Sequence, residues 1–72
     1  MKNDYTKQQI DFLVYCIEMY KNAHNLSGLK TQELFSKVKA DKYILDNFDS
    51  LHTTGLEYTL DDIQAFIETQ RE

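Results

Sequence analysis

Two histidines, one cysteine and two close pairs of aspartates are the first candidates for chemistry near neutral pH in this chain. Histidine is the usual acid–base group in that range. His24 and His52 both fall where helices are expected to end, and an imidazolium there complements the negative end of the helix dipole. That structural role accounts for both positions. A functional reading attaches more sharply to Leu51-His52-Thr53-Thr54-Gly55. A histidine and two hydroxyls on an exposed turn could grip a phosphate, a carboxylate or a partner's main chain. The local alternative is that Thr53 and Thr54 bond their own backbone while Gly55 takes a positive φ.

Cys16 would need a neighbouring base and a lowered pKa to act as a nucleophile. It lies instead in an apolar stripe with Phe12 and Tyr20, where cysteine is inert packing. Asp46 with Asp49, and Asp61 with Asp62, read as solvated helix positions rather than metal ligands. No HxxxH, HExxH, CxxC or calcium-loop spacing occurs, so no metal is expected. No GxxxxGK[ST] or GxGxxG occurs, so no nucleotide cofactor is expected. With no catalytic set in view, the chain is read as a non-enzyme.

Four helices are expected to position these residues. The first runs from about Lys7 to His24, opened by a Thr6/Gln9 capping box. Ile10, Leu13, Val14, Ile17 and Tyr20 mark one face, and Phe12, Cys16, Met19 and Ala23 a second stripe beside it. Together they cover more than half the helix wheel, which implies a central helix or one with a second interface. The second helix runs from about Gly28 to Val38 or Lys39, with Ser27 as its cap and Leu29, Leu34, Phe35 and Val38 as its apolar stripe. The third runs from about Lys42 to Leu51, with Asp41 as N-cap and Ile44, Leu45, Phe48 and Leu51 inward. The fourth is capped by Thr59, with Asp61 and Asp62 in its first turn and Leu60, Ile63, Phe66 and Ile67 inward. Strand signals are weak. The expected fold is all-α: a compact bundle of about four short helices, the first the longest, forming a single helical domain over residues 1–72.

At 72 residues, with 42% hydrophobic and 28% charged positions, the chain has a small core and no disulfide to reinforce it. Such domains gain stability from a partner or from self-association, so a homodimer is one expectation. No apolar run approaches the length of a membrane span. No signal core or lipidation motif is read at the ends, and a free cysteine suits a reducing compartment, so a cytoplasmic protein is expected. The net charge of −4 is uneven: residues 1–40 carry +2 and residues 41–72 carry −6. The acidic half disfavours nucleic acid and favours a basic protein surface. A small helix-turn-helix-like DNA-binding regulator is the alternative, and it would need Lys30, Lys37, Lys39 and Lys42 on one face.

Five tyrosines in so short a chain suit an interface as well as a core edge. The contact surface expected is His52, Thr53, Thr54 and Tyr58, with Tyr15 on the rim of the polar strip of the first helix.

The segments 11–18, Leu26-Ser27-Gly28, Glu33-Leu34-Phe35, Tyr43-Ile44-Leu45 and above all Leu51-His52-Thr53-Thr54-Gly55 resemble a family of short bacterial proteins, domain of unknown function number 3791. Tyr58, Asp61 and Asp62 match its continuation after the loop. The resemblance covers nearly the whole chain and implies a bacterial protein with no assigned activity and no catalytic residues to carry over. It also implies encoding near proteins like ADP-ribosyltransferase toxins, so that an acidic helical partner resembles an antitoxin or accessory subunit. The function expected is therefore a non-enzymatic protein-interaction module.

Overall fold

A computed structural model describes residues 5–53 and 55–71, apart from the side chains of Leu56 and Arg71. The order is α1 (Lys7–Ala23), α2 (Gly28–Lys37), α3 (Ala40–Asp46), α4 (Phe48–Leu51) and α5 (Leu56–Arg71). No strand occurs among the described residues. The fold is the expected short-helix bundle with α1 the longest, at 17 residues against 16 for α5.

α1 begins where the capping box places it. Gln9 N–H donates to Thr6 Oγ1 at 3.1 Å, and Thr6 N–H donates to Gln9 Oε1 at 2.8 Å. It ends with Asn25 in the left-handed region, φ 54°, and with Leu26 N–H bonded to the Lys21 carbonyl at 3.0 Å. This is the six-to-one bond of a Schellman stop, in a position that asparagine tolerates. Ser27 then caps α2, its Oγ accepting from Lys30 N–H at 3.1 Å.

The next two boundaries differ from expectation. Lys39, at φ 64°, closes α2 and opens α3. Asp41 is therefore not an N-cap; it lies in the first turn of α3, where its carboxylate accepts from the Lys42 N–H at 2.7 Å. The single third helix expected over 42–51 is broken at Asn47, whose backbone leaves helical geometry (φ −110°, ψ 24°). At the break Asn47 keeps its N–H on the Tyr43 carbonyl at 3.0 Å and adds its Nδ2 there at 2.8 Å, a side-chain bond to the local backbone of the kind that favours asparagine at helix ends.

Thr59 is not the cap of the last helix either. α5 starts three residues earlier, and Thr59 is buried inside its first turn. Its hydroxyl lies 3.1 Å from both the Leu51 and the Gly55 carbonyls, so one donor is shared between the end of α4 and the start of α5. Glu57, rather than Asp61 or Asp62, is the acid of the first turn. A Cβ at Gly55 would meet nothing within 4 Å.

The core gathers Cys16 and Tyr20 from α1, Phe35 from α2, Val38, Ala40 and Ile44 around α3, Leu51 from α4, and Ile63 and Ile67 from α5. The buried line of α1 runs through Cys16 and Tyr20, which leaves Ile10 (47%) and Val14 (59%) exposed. Leu29 is also exposed rather than part of an inward stripe of α2. Tyrosine hydroxyls tie elements together at the bundle's edge. Tyr5 donates to Asp46 at 2.7 Å, Tyr20 to Gln64 at 2.6 Å, and Tyr43 to Asp62 at 3.0 Å. Among the described residues no helix is long and apolar enough to cross a membrane.

Candidate functional site

The site is built on two helices. Phe48 and His52 are one turn apart on the α4 segment, and their rings stack with centroids 4.3 Å apart and planes 4° from parallel. Phe12 of α1 presents its ring nearly at right angles to both, 5.5 Å from Phe48 and 6.5 Å from His52. Tyr15, three residues along the same helix, stacks beside Phe12 at 6.4 Å. The four rings form one continuous surface cluster, with Tyr15 and His52 at its exposed ends.

A shallow cleft of about 420 Å³ opens on this cluster, lined by Gln8, Asp11, Phe12, Phe48 and His52. Among the described residues Asp11 is the one carboxylate in the lining, and it pairs with Lys7 at 2.8 Å on the exposed face of α1. That pair is an i,i+4 surface contact of small energy, so a stronger cation can displace it.

The state of His52 follows from its neighbour. Nδ1 lies 2.8 Å from the Phe48 carbonyl, which only accepts, so Nδ1 carries the proton. Nε2 is then left as the ring's acceptor in the neutral form, with no partner among the described residues. The imidazole is fixed by stacking and by this bond, and it stands at the C-terminal end of α4 as expected.

Aromatic faces beside a single carboxylate are suited to a cationic side chain. A lysine or arginine stem packs on the rings, its charge interacts with the ring faces, and its head group meets the carboxylate.

The structure brings together two of the residues expected at the contact surface, Tyr15 and His52, through Phe12 and Phe48. It does not add the others. Thr53 turns back locally, its hydroxyl donating to the Ser50 carbonyl at 3.0 Å. Thr54 lies outside the described residues. Tyr58, 75% exposed on α5, is not part of the cleft lining. Gln8, Asp11, Phe12 and Phe48 were not singled out from the sequence as contact residues. The i,i+4 spacing of Phe48 and His52 was a signal available there, as was the i,i+3 spacing of Phe12 and Tyr15.

The remaining chemical candidates are held in structural roles. His24 is the C-cap of α1 and stacks on Tyr20 at 4.0 Å. Cys16 is fully buried, and burial pushes its thiol up to about 12, which suppresses the thiolate. No group of three or more potential metal ligands occurs among the described residues.

A family model described as "Protein of unknown function (DUF3791)" matches residues 11–70, and the chain belongs to that family. No curated protein and no solved structure matches the chain.

Proposed function

We propose that this member of the DUF3791 family is a non-enzymatic protein-interaction module that docks a basic segment of another protein on the Phe12–Tyr15–Phe48–His52 surface. The observation that carries the reading is the four-ring cluster with Asp11 in its cleft. Such a surface offers large rigid contact area at low entropic cost, and tyrosine is among the residues that dominate interface energetics. The net charge of −6 over residues 41–72 adds long-range attraction for a basic partner. In a bacterial cytoplasm the role fits an antitoxin-like or accessory partner of a toxin-like enzyme. Tyr58 extends the contact where the partner reaches α5.

The alternative DNA-binding reading draws less support. Lys42 is held by Asp46 at 3.2 Å, and Lys39 and Lys42 border a different cleft from Lys30 and Lys37. Phosphate binding needs such cations to converge on one face.

The test is affinity capture from the native host with wild-type and Tyr15→Ala/His52→Ala bait, at low and high salt. The expected result is a specific basic protein retained by the wild type, weakened by salt, and lost from the double variant while circular dichroism stays unchanged. Equal capture by both baits, or no specific protein with the wild type, overturns the reading.

A further inference from the structure

A larger cleft lies elsewhere, between the end of α1, α2 and the second half of α5, with a volume of about 670 Å³. We infer that this cleft is a second docking site, for an acidic peptide segment with apolar residues between two carboxylates. It shares no lining residue with the aromatic surface and does not depend on it.

The cations carry the argument. The chain is acidic overall, and among the described residues three lysines already face a carboxylate: Lys7 with Asp11, Lys21 with Glu18, and Lys42 with Asp46. Lys30 and Lys37 have no such partner among the described residues, and both line this cleft. They stand seven residues apart on α2, on one face and about 10 Å apart along the axis. Between them the lining is apolar, from Leu26, Leu34 and Val38, with the ring of Tyr20.

The spacing separates a peptide from a compact anion. One phosphate would need donors converging on a single point. Two lysine stems rooted about 10 Å apart along α2 can instead each reach a carboxylate of one peptide, the two acids set apart by apolar residues. The intervening side chains then lie over the apolar lining. Gln70, on the α5 wall, supplies an amide able both to donate to and accept from a peptide backbone. Gln64 is already fixed, accepting from the Tyr20 hydroxyl at 2.6 Å and donating to Glu68 at 2.8 Å, so that wall is pre-ordered. Glu68 is not part of the lining. A second copy would have to bring its own acidic half to this cleft, either reciprocally in a closed pair or head-to-tail in a ring or filament.

The test is fluorescence anisotropy with a labelled ten-residue peptide centred on Glu-Leu-Leu-Glu, and its counterpart centred on Lys-Leu-Leu-Lys. The wild type is expected to bind the acidic peptide saturably, more weakly as salt rises, and not the basic one. Lys30→Glu/Lys37→Glu is expected to weaken binding by about tenfold or more. Lys39→Glu, a charge reversal outside the cleft, and Tyr15→Ala/His52→Ala are expected to stay within about twofold of the wild type. No saturable binding, equal binding of both peptides, or an equal loss in Lys39→Glu overturns the proposal. So does concentration-dependent self-association by light scattering that Lys30→Glu/Lys37→Glu abolishes, which would give the cleft to a second copy. Loss of partner capture by the aromatic variant with unchanged peptide binding separates this site from the first.

Discussion

The hydroxyl of Thr59 reaches back across the α4–α5 turn to the carbonyl of Leu51, 3.1 Å away, and holds the two helices at their junction. Thr59 is 2% exposed, so water does not replace that bond readily. Thr59→Val keeps the shape and deletes the donor. It is expected to lower stability by about 1 kcal/mol, whereas Thr59→Ser retains most of the bond. Urea denaturation of the three proteins measures the difference.

Lys39 sits at φ 64°, a region that costs a residue with a Cβ about 1 kcal/mol or more. Glycine has no such cost. Lys39→Gly is expected to raise stability by about 0.5–1 kcal/mol, despite the greater freedom of its unfolded chain. A rise in the thermal midpoint checks this, and a fall shows that the lysine side chain contributes more than its backbone strain removes.

Asp46 accepts from the Tyr5 hydroxyl and pairs with Lys42, and these two bonds, that of Tyr5 the larger, hold its carboxyl below the usual range. The folded state therefore favours the ionised form. Its contribution to stability is fully present above the unfolded value of about 4 and is lost as pH falls through the lower folded value. The same contacts raise Tyr5 and Lys42, so their contribution is lost as pH rises through their folded values, above about 10. Asp46→Asn is expected to flatten the acid limb of the stability curve, read as denaturation midpoints between about pH 3 and 6.

Burial pushes the Cys16 thiol up to about 12 and removes it from solvent. Thiolate at neutral pH is then negligible, and a disulfide reagent is expected to label Cys16 only as fast as the bundle opens. Labelling in native buffer should be slower by several orders of magnitude than in denaturant. Rapid native labelling would place the thiol at the surface instead.

The helix-forming segments and two starts were legible because their causes are local. Thr6 with Gln9, and Ser27 with Lys30 N–H, satisfy helix donors within one turn, so neighbouring residue types suffice to place them. Thr59 misled for the converse reason: threonine before an acidic turn reads as a cap, but here its hydroxyl serves a carbonyl eight residues upstream. The break at Asn47 goes with a side-chain bond added to the Tyr43 carbonyl, which periodicity does not register.

The sequence by itself determined an all-helical chain, an acidic second half, and apolar residues over more of α1 than one neighbour could cover. Tertiary structure alone decided which of those apolar residues are inside. Packing of α2 and α5 put Cys16 and Tyr20 in the core and left Ile10 and Val14 in solvent. It also decided that Phe12 would meet Phe48 and His52, and that Lys30 and Lys37 would face Gln70 across a cleft. A helix's periodicity states which residues share a face; only the crossing of helices distant in sequence states what that face meets.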